Sequence, residues 1–171
     1  DVFEKMVDEG IVFRQLKPVH WSIANQTALA EAELEYMDKT SDSIAVKFNI
    51  EDHPFSHNGP VYAVIWTTTP WTLPANLAVA FGGAINYSMV RINGDACIMA
   101  SERVDFIKDY VSDATIIEPI DINQLRGHFV THPFIDRKGP ILEAGFVTTE
   151  DGSGLVHIAP GHGTDDYILG Q

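Results

Sequence analysis

The chain has 171 residues, 45% of them hydrophobic and 10% aromatic, which is typical of one globular domain with a sizeable buried core. No apolar run approaches the roughly 20 residues that a membrane-spanning helix needs, so no membrane partner is expected. With 24 acidic and 11 basic side chains the formal net charge is −13. Charge alone therefore argues against a nucleic-acid partner, because such proteins usually concentrate lysine and arginine against phosphates.

The cysteine content and the first residues bear on the cellular setting. Cys97 is the single cysteine, which excludes an intrachain disulfide and a zinc site built from several cysteines, and fits a reducing compartment. The chain begins DVFEKMVDEG, without a basic targeting segment or an initiating methionine. We expect a cytoplasmic protein, and a fragment of a longer chain.

The first predicted element is a short helix over Val2–Asp8, which ends before Gly10. In ALAEAELEYMD the composition favours a helix, but apolar residues alternate with glutamates, and we expect a strand from Glu31 onward. Further strands are predicted in SIAVKFNI, PVYAVIWTTT and LAVAF. YSMVRI and ACIMA, joined by Asn93, Gly94 and Asp95, predict a β-hairpin.

The second half of the chain adds one helix and more strands. Ser101 is expected to cap a helix in ERVDFIKDYV, and strands are predicted in HFVTHPFI, GPILEAGFVTT and GLVHIAP. The fold class is therefore α+β and strand-rich, a compact β-barrel-like domain with a few peripheral helices. We expect residues 1–171 to form a single domain, with residues 1–30 and 160–171 as connecting arms.

The segment VIWTTTPWTLPAN concentrates polar side chains and an indole where a strand is expected to end. Thr67, Thr68 and Thr69 precede Pro70, and the run ends at Asn76. The simpler interpretation is structural, since threonine favours strands and proline forces the preceding residue into an extended conformation.

The segment GLVHIAPGHGTDDY holds a second group of polar residues. His157 lies in an alternating strand, and Asp165 and Asp166 follow Thr164, a possible helix cap. The simpler interpretation is a hydrogen-bonded core histidine and two acids that complement a helix N-terminus. A metal site is not expected, because His157 and His162 are separated by a Pro-Gly turn instead of sharing a helical face. No nucleophile elbow and no phosphate-binding glycine loop is present, so no cofactor is expected.

Together with KPVHW and ALAEAELEY, these two segments resemble the isoleucyl-tRNA synthetase family over nearly the whole chain. The matching region is the editing domain, the connective peptide 1 inserted in the class I catalytic domain. Related valyl and leucyl enzymes have Thr-Thr-Arg-Pro where this chain has Thr-Thr-Thr-Pro-Trp from Thr67 to Trp71, which indicates the isoleucine branch. Bacterial relatives often carry a Cys-x-x-Cys where this chain has Ser22 and Asn25, so no metal knot is expected there.

The resemblance implies a hydrolytic proofreading activity, an aminoacyl-tRNA deacylase that removes valine wrongly esterified to the isoleucine tRNA. The expected partners are the 3′ CCA end of that tRNA carrying valine, and the rest of the same synthetase chain. The His-Ile-Gly-His and Lys-Met-Ser-Lys-Ser signatures are absent, so ATP binding is expected only in the catalytic domain outside this sequence. The acidic net charge is then a weaker argument against a tRNA partner, because only the single-stranded end of the tRNA is expected to enter this domain. A non-catalytic module that docks the acceptor end, and a metal hydrolase, remain as alternatives.

The resemblance also implies a role for particular residues. Asp166 is expected to bind the α-ammonium of the ester, whereas Asp165 caps the helix or faces solvent. The hydroxyls of the catalytic threonines are expected to hold the terminal adenosine and a water, with Thr69 helping to orient the attack. His157, assigned to catalysis and substrate binding, is expected to limit the side-chain pocket together with Trp71. The two walls of the site would be Thr67, Thr68, Thr69, Trp71 and Asn76 on one side, and His157 and Asp166 on the other.

Overall fold

The computed structural model describes all 171 residues, and they fall into two compact units, Asp1–Tyr36 and Met37–Gln171. The prediction of a single domain with connecting arms at residues 1–30 and 160–171 is not tested by this division and stays a prediction. None of the helices has the length and apolar character that crossing a membrane requires.

The first unit contains one helix and one small hairpin. Helix α1 (Val2–Asp8) begins with a capping box between Asp1 and Glu4, as the sequence predicts for its bounds. Strands β1 (His20–Ser22) and β2 (Thr27–Leu29) pair antiparallel.

The predicted strand from Glu31 onward is wrong. Residues Glu31–Glu33 form a 3-10 helix instead. The Glu33 carboxylate accepts a hydrogen bond from the backbone N–H of Ala30 at 2.7 Å. This local side-chain bond closes the turn, and it prevails over a short alternation that has no partner strand.

The second unit is built on one nine-stranded sheet. Its strands are β3 (Ile44–Ile50), β4 (Val61–Thr67), β5 (Ala78–Phe81), β6 (Tyr87–Ile92), β7 (Asp95–Ala100), β8 (Ala114–Ile120), β9 (Phe129–Thr131), β10 (Lys138–Glu143) and β11 (Leu155–Ile158). The order across the sheet is β11-β5-β10-β9-β3-β4-β7-β6-β8. Strands β5 and β10, and β4 and β7, pair in parallel, and the other neighbours are antiparallel.

The strand-rich prediction is confirmed, and the helices are few and short. The sheet is not closed into a barrel, because β11 and β8 are its two edge strands. The hairpin prediction is also confirmed: Asn93 and Gly94 both have positive φ, at 49° and 95°, as a tight turn between β6 and β7 requires.

The buried apolar residues form separate clusters. The largest includes Phe48, Ile65 and Phe81, and a second contains Cys97 and Ile107. Burial raises the pKa of the Cys97 thiol to about 12, so this group stays protonated and is a poor nucleophile.

The helix expected after Ser101 is shorter than predicted. A 3-10 turn, Ser101–Arg103, leads into helix α2 (Val104–Ile107). Ser101 does not cap it, because its hydroxyl hydrogen-bonds the Ser88 hydroxyl at 2.7 Å. A serine of strand β6 therefore replaces the helix N-terminus as the partner of this side chain.

Two close approaches hold β5, β10 and β11 together. Gly139 in β10 lies so near the Leu77 carbonyl that a Cβ atom would overlap it. The Tyr87 hydroxyl accepts from the backbone N–H of Gly82 at 2.9 Å and donates to the Gly154 carbonyl at 2.6 Å. Burial raises the pKa of Tyr87 to about 12, so this hydroxyl stays protonated and ties the end of β5 to the start of β11.

Candidate functional site

Residues 67–76, here called the threonine–proline segment, connect β4 to β5. Pro70–Ala75 form a 3-10 helix, with Pro70 at its first position, where a missing N–H costs nothing. Asn76 ends the segment: its backbone N–H donates to the Leu73 carbonyl at 2.9 Å, and its carboxamide donates to the Ala78 carbonyl at 2.8 Å. The side chain of Asn76 is only 2% exposed and so has a structural partner.

Two side chains from the region of β9 and β10 hold this segment by its carbonyl oxygens. His132 donates from Nε2 to the Leu73 carbonyl at 2.8 Å. Arg137 donates to the carbonyls of Pro74 at 3.1 Å and Asn76 at 2.7 Å. Sequence reasoning missed both residues, and no local pattern marks them, because they lie 59 to 63 positions away from their partners.

Hydroxyl groups in the segment form a continuous network. The Thr67 and Thr69 Oγ1 atoms are 3.1 Å apart, and the backbone N–H of Thr69 donates to Thr67 Oγ1 at 3.0 Å. Thr69 Oγ1 lies 3.4 Å from Thr72 Oγ1, and Thr72 Oγ1 lies 3.0 Å from His157 Nε2. The structure thus brings Thr67, Thr69 and His157 together through Thr72. Thr72 was not among the predicted site residues, and its only sequence signal is its position in the same polar run.

Two other predicted residues lie at the surface of the segment. Thr68 is exposed, and its backbone carbonyl accepts a hydrogen bond from the Ser41 hydroxyl at 3.5 Å. The Trp71 indole is 65% exposed and is not buried in a pocket by other residues of the chain. The roles assigned to Thr68, Trp71 and Asn76 stay predictions.

Asp166 folds back onto the end of β11. It lies in helix α3 (Thr164–Leu169), and its Oδ2 atom accepts from the backbone N–H of Ala159 at 2.8 Å. Asp165 is exposed and faces solvent, one of the two alternatives predicted for it. Thr164 does not cap α3, because Gly163 occupies the N-cap position and no side chain bonds there.

His157 is the buried titratable group of the site. Its side chain is 8% exposed in β11, where it pairs with Val79 of β5. Burial lowers the pKa of His157, the negative charge of Asp166 opposes this shift, and His162 and His132 reinforce it. The ring is therefore neutral near pH 7, and its Nδ1 atom is buried without a hydrogen-bond partner in the chain.

This lowered pKa predicts a pH dependence of stability. The unfolded chain protonates His157 near its ordinary pKa of 6.5, whereas the folded chain does so only at lower pH. The stabilisation is therefore complete above the unfolded pKa and is lost as pH falls through the folded pKa. Urea unfolding from about pH 7.5 to about pH 5 should show a larger loss of unfolding free energy in the wild type than in His157→Gln.

An exposed histidine outside this site supplies a matched control. His20→Gln should keep the wild-type pH dependence, because His20 is exposed and is not among the charged groups that shift the pKa of His157. Equal pH dependence in the wild type and in His157→Gln would contradict the assignment of the lowered pKa to His157.

Residues 1–152 match the family described as tRNA synthetases class I (I, L, M and V). The chain belongs to this family. Its relatives include isoleucine–tRNA ligases from Thermoanaerobacter sp. (strain X514), 43% identical over 179 residues, and Petrotoga mobilis, 45% identical over 172 residues. These alignments cover 100% and 99% of this chain but only 19% and 18% of the relatives, so the chain spans about a fifth of their length. The predicted resemblance to the isoleucyl-tRNA synthetase family is confirmed.

Solved structures with a similar fold are editing domains of leucyl enzymes. GlLeuRS-CP1 matches with a TM-score of 0.64 and 17% identity, covering 75% of this chain and 59% of that chain. The editing domain of the P. falciparum cytosolic leucyl-tRNA synthetase matches with a TM-score of 0.55 and 14% identity, covering 63% of this chain and 43% of that chain. At these identities the likeness establishes the fold, that of a CP1 editing domain.

Proposed function

We propose that this chain is the hydrolytic proofreading domain of an isoleucine–tRNA ligase, and that it deacylates valyl-tRNA(Ile) in a pocket that excludes isoleucine. The observation that carries this proposal is the hydrogen-bonded path from Thr67 through Thr69 and Thr72 to His157. Asp166, bonded to the end of the same strand, adds a carboxylate whose charge reaches His157. These groups have the chemistry that an aminoacyl ester requires: hydroxyls, an anion and a neutral ring.

A second site is needed because valine and isoleucine differ by one methylene. A hydrophobic pocket discriminates between two side chains that differ by one methylene by only about 1–3 kcal/mol, and isoleucine-specific synthetases are the standard example of this limit. A smaller pocket that admits valine and sterically excludes isoleucine inverts this preference. Hydrolysis in that pocket removes the valyl ester and spares the correct product.

The proposed reaction is attack of a water oxygen on the ester carbonyl carbon. The bond between that carbon and the ribose oxygen breaks, the ribose oxygen takes a proton, and valine leaves as the free acid. Asp166 binds the ammonium through the carboxylate oxygen that does not accept from Ala159, and the hydroxyls of Thr67 and Thr69 orient the water.

No strong protein base is required in this mechanism. The pKa of His157 is lowered, and its Nε2 atom is already bonded to Thr72. An aminoacyl ester is an activated substrate, and the adjacent ribose hydroxyl and the ammonium assist, so positioning and hydrogen-bond donors to the developing oxyanion are sufficient.

The net charge of −13 fits a limited contact with the tRNA. In the proposed arrangement only the single-stranded CCA end reaches this domain, and the rest of the synthetase binds the body of the tRNA. The isolated chain should therefore bind tRNA weakly, since few cations are available to displace counterions from phosphates.

The test uses a full-length isoleucine–tRNA ligase that carries this segment, with purified valyl-tRNA(Ile) as substrate. We expect deacylation well above the spontaneous rate. The rate should be unchanged by a chelator or a thiol-blocking reagent, because the proposed mechanism uses neither a metal nor Cys97. Mass spectrometry should detect no valyl–enzyme adduct. A rate equal to the spontaneous one would support the docking module instead. Loss of activity in the presence of a chelator would support a metal hydrolase, and a trapped adduct would support covalent catalysis.

A further inference from the structure

The turn between β9 and β10, residues 132–137, lies against the end of the threonine–proline segment. His132 and Arg137 donate to three carbonyls of that segment, and Gly139 packs against the carbonyl of the residue that follows it. The four oxygens belong to Leu73, Pro74, Asn76 and Leu77. This hairpin therefore holds the segment by its backbone.

The turn fixes the place from which the Arg137 side chain extends. His132 is 5% exposed, and its Nδ1 atom accepts from the backbone N–H groups of Phe134 and Ile135 at 3.3 and 3.2 Å. The backbone N–H of His132 donates to the Arg137 carbonyl at 2.9 Å and closes the turn. Because these bonds lie within the turn, the guanidinium is carried by a backbone of defined conformation.

The end of the threonine–proline segment depends on contacts from outside it. Its 3-10 helix has six residues, and such helices are short because their hydrogen-bond geometry is poor. Pro74 lies inside this helix and has no N–H to donate. Arg137 Nη1 donates to the carbonyls of Pro74 at 3.1 Å and Asn76 at 2.7 Å, and a charged donor makes stronger bonds than a neutral one. The guanidinium therefore stabilises the position of a helix that is weak by itself.

The same carbonyls lie where the two proposed walls of the site come together. The chain enters β5 just after Asn76, and the backbone N–H of Leu77 donates to the Ile158 carbonyl of β11 at 2.8 Å. β11 carries His157, and its end is bonded by Asp166. A displacement of the backbone at Asn76 would therefore change the distance between the threonine hydroxyls and the second wall.

We propose that Arg137 is a positioning residue for proofreading, which sets the spacing of the two walls by holding the carbonyls of Pro74 and Asn76. This inference rests on the proposed function, since the role lies within the proposed hydrolysis. Arg137 acts through the main chain of the threonine–proline segment and does not touch the reacting atoms. Its loss should slow the reaction without weakening tRNA binding, because a misplacement of about 1 Å can cost about 100-fold in rate.

The test measures kcat and KM for deacylation of valyl-tRNA(Ile) by the full-length ligase. Arg137→Met keeps the apolar stem and removes the guanidinium, so kcat should fall by about ten-fold or more while KM stays within about two-fold. Arg137→Lys keeps the charge and N–H donors on a side chain one bond shorter, and its kcat should lie between those of Arg137→Met and the wild type. Charging with isoleucine should be unchanged in both, as a check on the folding of the ligase.

Two further variants make the result specific. Arg91→Met removes the same charge from an exposed position on β6 and should leave kcat and KM unchanged. Gly139→Ala keeps Arg137 but places a Cβ atom against the Leu77 carbonyl, so it displaces the end of the segment without any change of charge. Its kcat should fall with KM unchanged, and this result does not depend on the folding of Arg137→Met.

Each outcome bears on a different statement. A wild-type ligase that deacylates valyl-tRNA(Ile) no faster than the spontaneous rate removes the proposed function, and the inference with it. An active wild type with an unchanged kcat in Arg137→Met, or in Gly139→Ala, overturns the inference alone. A raised KM with an unchanged kcat in Arg137→Met also overturns it, because Arg137 would then contact the tRNA. Equal falls of kcat in Arg137→Met and Arg137→Lys, with both melting temperatures lowered, would overturn it in favour of a structural role only.

Discussion

Asp166→Ala in the full-length ligase should lower the deacylation of valyl-tRNA(Ile) by about 100-fold or more. The carboxylate is bonded to the end of β11, and in the proposed mode of binding its removal would leave the substrate ammonium without a charged partner. The measurement is the rate of valine release from purified valyl-tRNA(Ile), with the melting temperature of the variant as a check on folding.

The neighbouring acid is the natural control. Asp165→Ala removes the same charge from the next position, but this side chain faces solvent, where a charge contributes little. Its rate should stay within about five-fold of the wild type. Equal rates for the two variants would show that the ammonium is bound elsewhere.

His157→Ala should give the largest change in selectivity. The imidazole occupies space beside the threonine network, so its removal should enlarge the proposed pocket while Asp166 remains. The isoleucyl ester should then be hydrolysed at least about ten-fold faster than by the wild type, the scale of one methylene in a pocket. Deacylation of both esters should be measured on the same preparation.

A core histidine without this role would behave differently. Its loss would destabilise the fold by about 1–3 kcal/mol, and both esters would be handled equally poorly. A destabilised His157→Ala variant that hydrolyses the isoleucyl ester no faster than the wild type would contradict the steric explanation of selectivity.

The main strands could be predicted because buried strands leave a strong local pattern. β4 and β7 are apolar over most of their length, and Asn93 and Gly94 supply the positive φ angles of a hairpin. The prediction at Glu31 failed because an alternation from Ala30 to Tyr36 without a partner strand has no advantage over a turn that the Glu33 carboxylate closes. The prediction at Ser101 failed because its hydroxyl bonds Ser88 of strand β6 instead of the helix N-terminus.

The site could be predicted only as far as its sequence neighbours and the family resemblance reached. His157 and Asp166 lie within one short segment, and the family resemblance alone implies their roles. The bond between Thr72 and His157 joins positions 85 residues apart. No periodicity encodes such a pair, because it depends on which strands lie side by side. The open sheet, in place of the barrel-like form, also depends on strand order, which hydrophobic pattern leaves undetermined.

The way in which His132 and Arg137 hold the threonine–proline segment affects how natural variants should be interpreted. Both bond to main-chain oxygens, so the segment keeps its anchors when its own side chains at these positions change. The residues that hold the threonine–proline segment in place, His132 and Arg137, are therefore far from it in the sequence. If a substitution at Arg137 impaired proofreading, the loss of a positive charge would suggest a lost tRNA contact. The actual cause would be a changed backbone conformation at Pro74 and Asn76, whose carbonyls Arg137 holds. When a mutational screen identifies this position, the conformation of the 3-10 helix Pro70–Ala75 should be checked before a tRNA contact is assigned.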